Sequence, residues 1–227
     1  MAKRSIRGDM MRLAIAREAA RLMIEHGHED YGIAKRKAAE RFGVTELAVL
    51  PRNTEIEEAL AEHHRLFDPE AHASSLSAKR EVALEAMRLL SEFEPRLVGP
   101  LLSGTATAHN DITLHLFADT PESVAVRLLD RGIPHEVAER RFRTQRDEIE
   151  AFPALRFAAG GHDIDATIFP KDGIRQAPPG PVDGKPMRRA TIAEVEVLAA
   201  EGGDKEGSLP DFDRNRHGMT SADEIGE

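Results

Sequence analysis

Three aspartates carry the clearest chemical signal in this chain of 227 residues. Asp111 opens the run 112–118, where Ile112, Leu114 and Leu116 alternate with Thr113 and His115, the period of a strand with one apolar face. Asp163 and Asp165 sit on the polar side of a second alternating run, 162–169, opposite Ile164, Ala166 and Ile168. A mid-strand carboxylate is costly to bury unless something compensates it, and a metal ion is one way to do so. Just before Asp111, Ser103-Gly104-Thr105-Ala106-Thr107 has almost no side-chain bulk. Such a turn can bring backbone N–H groups and hydroxyls close to an anion. A plainer reading stands beside this one. Asp111 after Asn110 is ordinary turn chemistry, the hydroxyls of residues 103, 105 and 107 can simply form the turn, and Asp163 and Asp165 can be the exposed face of a hairpin arm.

The elements that must position these groups follow from periodicity and punctuation. Apolar residues at three- and four-residue spacing predict a helix over 8–27, ended by Gly27, and a second over 31–42, capped by Asp30 and closed by Gly43. Asn53 or Thr54 caps a third, with Glu57 placed like a capping-box partner of Thr54. Asp68-Pro69 and residues 71–75 read as a linker, and Ser77 caps a fourth helix over 78–93. Strands are expected over 97–102 and 112–118, then a helix from Thr120-Pro121 to Gly132. An edge strand over 135–143 and two arms, 152–159 and 162–169, joined by Gly160-Gly161 complete the sheet. Residues 171–187, rich in Pro and Gly, form an extended connection before a short helix over 192–200. The fold class is α+β (of α/β type): an N-terminal helical region, then a mixed sheet of about five strands with helices on one side. The expected divisions are 1–75, helical; 76–176, the core; 177–201, connection and short helix; and 202–227, a disordered acidic tail.

Composition narrows the options. Apolar residues make up 41% and aromatics only 4%, with no Trp, so the core must be built from Leu, Ile, Val, Ala and Met. The lack of cysteine excludes disulfides, thiolate metal sites and cysteine nucleophiles. No apolar run approaches the ~18 residues of a membrane span, and the charged N-terminus lacks the apolar segment of a signal peptide. A bacterial-type cytoplasmic protein without membrane contact is expected. A net charge of −9 argues against non-specific coating of nucleic acid. Eight acidic residues against three basic ones between 201 and 227 hold about half of that excess, leaving the body nearly balanced. Lys35-Arg36-Lys37 and Arg41 form the strongest basic cluster, read as a solvated face with a phosphate contact as the sharper alternative. His63 and His64, neighbours on a helix, point about 100° apart and do not easily chelate one ion.

The order strand, small-residue turn, carboxylate strand and helix resembles the nucleotidyltransferase superfamily that includes DNA polymerase beta and small bacterial nucleotidyltransferases. Gly99 takes the place of the family's first glycine and Pro100 that of its serine. Gly104-Thr105-Ala106-Thr107 matches the second glycine turn, and Asn110-Asp111-Ile112-Thr113-Leu114 the carboxylate strand. The resemblance covers about the middle third of the chain. It implies Mg²⁺-dependent transfer of a nucleoside monophosphate from a nucleoside triphosphate to an acceptor that is a small molecule, protein or RNA. Asp111 and Asp165 would be the metal ligands and catalytic carboxylates, with Asp163 as substitute if the register differs by two. Gly99, Ser103, Gly104, Thr105, Thr107 and Asn110 would hold the nucleotide, and Arg141, Arg143, Arg188 or Lys185 would add charge to the pyrophosphate. Two departures stand out: Pro100 replaces the phosphate-binding serine, and Thr113 replaces the second metal carboxylate. They support an alternative, a catalytically degenerate fold that serves as a nucleotide-binding or protein- or RNA-interaction module.

Overall fold

The computed structural model describes residues 2–28, 30–45, 49–144 and 148–203. It is an α+β protein in which three N-terminal helices precede a five-stranded mixed sheet backed by further helices. The tail expected to be disordered lies outside the described residues, apart from its first two positions, which end the last helix. Among the described residues no helix is long and apolar enough to cross a membrane.

Helices α1 (Ala2–His26), α2 (Tyr31–Arg41) and α3 (Asn53–Phe67) pack as a small bundle around Ile15, Ala19, Leu22, Ala34, Ala38, Ile56 and Leu60. The alanines let the helix axes approach closely, which suits a chain poor in aromatics. Asp30 caps α2 by accepting from the Ile33 N–H at 2.8 Å. Helix α3 begins at Asn53, and the side chain of Glu55 accepts from the Arg52 N–H at 2.7 Å. Glu55, not Glu57, is therefore the capping residue, and Glu57 is left to face elsewhere.

Helix α4 (Pro69–Leu89) corrects the expected linker over 71–75: those residues are its opening turns. Asp68 accepts from the Ala71 N–H at 3.2 Å and Pro69 occupies the first turn, a strong helix start. The boundary expected between residues 75 and 76 falls inside this helix. Strand β1 (Arg96–Val98) is also shorter than expected. At Gly99-Pro100 the chain turns into a single helical turn, α5 (Pro100–Ser103). Strand β2 (Ile112–Phe117), helix α6 (Pro121–Asp130), strands β3 (His135–Arg143), β4 (Ile149–Ala159) and β5 (His162–Phe169), and helix α7 (Ile192–Gly203) follow.

The strand order is β1-β2-β5-β4-β3, with β2 and β5 parallel and the other pairs antiparallel. The outer edge of β1 is covered by a two-bond bridge between Leu97 and Ala190. One face of the sheet carries Leu97, Leu114, Leu116, Leu155, Ile164 and Ile168. It packs on Leu84, Met87 and Leu90 of α4, Val124 and Leu128 of α6, and Val195 of α7. This is the main core. The alternation of β2 and β5 therefore sends Thr113 and His115 of β2, and Asp163, Asp165 and Thr167 of β5, to the opposite face.

Candidate functional site: a cavity between the bundle and the sheet

A cavity of about 840 Å³ lies between the α1–α3 bundle and the polar face of the sheet. Its floor is Thr113, Asp111, Asp165, Thr167, Arg140 and Phe142, and one wall is Gly99, Pro100, Leu102, Ser103, Thr105, Thr107 and Asn110. Met23, His28, Tyr31, Glu57 and Leu60 close the bundle side. A loop containing Pro181, Val182, Lys185, Met187 and Arg188 closes the fourth. The expected featureless connection over 171–187 thus has structure. It contains a 3-10 turn (Lys171–Arg175) and a Pro179–Pro186 bridge, and Val182 packs against the bundle core.

The floor follows from register. Thr113 lies opposite Asp165 across the parallel β2–β5 pair, and Asp165 lies opposite Arg156 across β5–β4. Asp111 stands two residues before Thr113 on the same face. The Arg156 guanidinium meets Asp111 Oδ2 at 3.1 Å and reaches Asp165 Oδ2 at 4.0 Å, while Arg140 also donates to Asp165 Oδ2. Two aspartates 54 positions apart in sequence numbering thus converge on one arginine. The charge of Asp111, foremost, holds the Arg156 pKa above its ordinary value. Asp163, the substitute carboxylate, is exposed and does not line the cavity. Among the described residues no three His, Cys, Asp or Glu side chains gather closely enough to hold a metal ion.

The bend from Gly99 to Asn110 departs from the expected anion nest. The N–H groups of Leu102 and Ser103 bond the Gly99 carbonyl, and those of Gly104, Thr105 and Ala106 all bond the Pro100 carbonyl. The Thr107 N–H and hydroxyl both donate to Asn110 Oδ1, so Thr107 and Asn110 hold each other in a turn. Gly104 sits at φ 86°, which suits glycine, and does not line the cavity. Gly99, at φ 75° and ψ −158°, lines it and occupies a conformation that is nearly glycine's alone. This wall also presents hydroxyl groups to the cavity. Thr105 donates to Glu57 Oε1 at 2.6 Å, and the single hydroxyl proton of Ser103 is shared among Thr105 Oγ1 at 2.8 Å and Glu57 Oε1 and the Pro100 carbonyl at 3.2 Å each.

Two supports hold the bend. The buried Lys79 of α4 donates to the carbonyls of Thr107, Ala108 and Asn110 at 2.9, 3.2 and 2.9 Å. His72 bonds the Gly104 carbonyl at 2.9 Å and stacks on His64, with ring centroids 3.7 Å apart. Burial, with the neighbouring histidines adding to it, lowers the His64 pKa to about 4, so the ring is neutral at neutral pH. His63 packs on Phe67, with ring centroids 4.5 Å apart, and meets His64 edge-on.

Behind the floor, His115 is fully buried among Phe142 and Phe169. Its Nδ1 accepts from Arg189 Nε–H at 3.1 Å, which places the ring proton on Nε2. Burial, then the Arg189 charge, drives the His115 pKa down to about 3. Arg189 itself lies over the Phe117 and Phe169 rings at 4.9 and 5.0 Å, and burial lowers its pKa to about 10.

Of the expected cations, Lys185 and Arg188 line the cavity, whereas Arg141 is paired with Glu139 and Arg143 is not in the lining. Arg140 and Arg156 were missed. On the edge strand over 135–143, the period-2 relation of Arg140 to Phe142 is the signal that picks out Arg140. The basic run of α2 is structural at Lys35, which bonds the Pro51 carbonyl and Asn53, and at Arg41, paired with Glu18.

A scan against protein-family models, a search of curated proteins and a search of solved structures each return no match to this chain.

Proposed function

We propose that this cavity binds a metal–nucleoside triphosphate, and that the protein is a nucleotidyltransferase-like protein transferring a nucleoside monophosphate to an acceptor. One observation carries the reading: Asp111 and Asp165 converge on one face of the sheet beside the small-residue bend. The donor set suits Mg²⁺, which keeps most of its waters and asks for one or two carboxylates. Asp165 is 5% exposed and its Oδ1, at the cavity floor, is buried without a hydrogen-bond partner. A buried acceptor oxygen of that kind is what a cation satisfies. Bound there by Asp111 and Asp165, Mg²⁺ would neutralise phosphate oxygens during transfer.

The chain's own residues supply the rest. Arg140 and Arg156 neutralise the two carboxylates and stand ready to turn towards phosphate, while Lys185 and Arg188 line the loop side. Leu60, Met187 and Phe142 give apolar surface of the kind a nucleobase needs.

A second reading is favoured by Thr113, which stands opposite Asp165 where a further carboxylate would complete a two-metal centre. Its neutral hydroxyl supports a module that binds nucleotide without turning it over. Calorimetric titration with Mg-ATP and Mg-CTP, with Asp111→Asn as control, tests the common ground. Binding that weakens in the variant is expected, and no binding of any triphosphate refutes both readings. A labelled product in an acceptor screen, abolished by Asp165→Asn, would select transfer over binding alone.

A further inference from the structure

Glu57 has surroundings unusual for a carboxylate. It is half-buried at the cavity wall, and both of its oxygens are taken by hydroxyl donors. Thr105 Oγ1 donates to Oε1 at 2.6 Å, Ser103 Oγ lies 3.2 Å from the same oxygen and shares its proton with Thr105 and the Pro100 carbonyl, and the Tyr31 phenol donates to Oε2 at 2.5 Å. Among the described residues no Lys, Arg or His forms an ion pair with it, although Arg140, Lys185 and Arg188 line the same cavity. Three hydroxyls from two parts of the fold, Tyr31 from the bundle and Ser103 and Thr105 from the bend, thus enclose one anionic group.

We propose that Tyr31, Ser103 and Thr105 form a phosphoryl-binding site, and that Glu57 is its internal occupant, which a phosphate group of the ligand must displace. The inference rests on the nucleotide-binding reading and adds a gate to it. A phosphate oxygen accepts the same hydroxyl hydrogen bonds as a carboxylate oxygen. It also brings more charge to the arginines and lysine of the cavity, so exchange favours the ligand once those cations engage. Without them the carboxylate keeps its place. Displacement also frees Tyr31, so occupancy of the bend is communicated to α2 and α3 of the bundle.

The chain has one tyrosine and no tryptophan, so its near-ultraviolet fluorescence reports Tyr31 alone. The experiment titrates inorganic pyrophosphate into the full chain and follows that signal, with calorimetry in parallel. The wild type should gain fluorescence as the phenol leaves its quenching carboxylate. Glu57→Ala should start from the high level and bind pyrophosphate more tightly, by roughly 5- to 100-fold, the range of ordinary intramolecular coupling. Adding Ser103→Ala and Thr105→Val to Glu57→Ala should abolish the gain. A Glu57→Ala affinity equal to or below wild type overturns the proposal. A gain that survives loss of the hydroxyls also overturns it, because then only repulsion has been relieved. If Glu57→Ala does not fold by circular dichroism, Glu57→Gln keeps the side chain's size but gives the hydroxyls a neutral acceptor, and calorimetry should show a smaller gain in the same direction; no gain there is likewise fatal. Pyrophosphate needs neither nucleoside nor the Asp111–Asp165 pair, so these results stand apart from the Mg-ATP titration that tests the broader reading.

Discussion

Lys79→Met is the sharpest test of how the bend before Asp111 is held. The methionine keeps most of the lysine's apolar stem, so little volume is lost from a side chain that is 3% exposed. What goes is an ammonium donating to three carbonyls, two at 2.9 Å and one at 3.2 Å. Hydrogen bonds from a charged donor contribute about 1.5–3 kcal/mol each, and a buried acceptor left unpaired costs about 1–3 kcal/mol. The Ala108 and Asn110 carbonyls belong to exposed or half-buried residues and can recruit water, while the bond to Thr107 is buried. Counting the Thr107 bond in full and the others at a discount gives about 3–5 kcal/mol, within the range for stranding one partner of a buried polar contact. For a protein of this size, with roughly 2–4 °C per kcal/mol, the melting temperature should fall by about 6–20 °C. Thermal unfolding followed by circular dichroism, with urea denaturation to convert the shift to free energy, measures it. A loss below about 1 kcal/mol, the worth of one ordinary hydrogen bond, would show that the bend does not depend on this ammonium.

Three further outcomes follow from the same geometry. Gly99→Ala has room for its Cβ, whose nearest neighbour would be Thr113 at 3.9 Å, so its cost should be backbone strain alone, about 1–3 kcal/mol by urea denaturation. An unchanged midpoint would refute that. His115 has a folded-state pKa of about 3 against an ordinary value of 6.5, so the unfolded chain binds the proton first. Its contribution to stability should be full above pH 6.5 and be lost as the pH falls from there towards 3. His115→Gln should flatten this part of the pH–stability curve, and nitrogen NMR should find the ring proton on Nε2. Arg140→Gln should strengthen binding of Mn²⁺ alone, read by electron paramagnetic resonance, because it removes a cation competing for Asp165. Weaker Mn²⁺ binding would mean that the arginine orders the carboxylate for the metal.

Local patterns in the sequence account for much of this fold. Period 2 in 112–118 and 162–169, with glycines at 160 and 161, predicts β2, β5 and the hairpin almost to the residue. The errors arose where two local signals competed. Residues 71–75 look like a small-residue linker, yet alanine is the best helix former and Asp68-Pro69 is a sound start. The run 97–102 looks like one strand, but proline can open a helical turn and does so at Pro100. Glu57 suits a cap at Thr54, two residues beyond the observed cap at Arg52, and two residues rotate a helical side chain by about 200°. The parallel pairing of β2 with β5 is non-local, so no window of sequence contains it. Arg156 opposite Asp165 follows from the local hairpin through Gly160-Gly161, and only its meeting with Asp111 had to wait for the pairing of β2 with β5.

The same register explains how the anion site proposed here can be acidic where it meets the sheet. Asp111 and Asp165 put two like charges on one face, and Arg156 and Arg140 compensate them from β4 and β3. Across the cavity the polarity is reversed: neutral hydroxyls of the bend and of Tyr31 surround an acid, Glu57, from the bundle. Groups of this chain therefore compensate the charge of the aspartates and fill the hydroxyl pocket, and Asp165 Oδ1 is left without a hydrogen-bond partner. Two exchanges would convert that arrangement to a ligand-bound one, a metal for the arginines at the aspartates and a phosphate for Glu57 at the hydroxyls. A metal–phosphate complex makes both at once, since the released arginines gain the phosphate as partner. Metal or pyrophosphate alone makes only one exchange, so each should bind more weakly by itself than in the presence of the other. Independent binding of Mn²⁺ and pyrophosphate in calorimetric titrations would show that the two halves of the cavity do not act as one site.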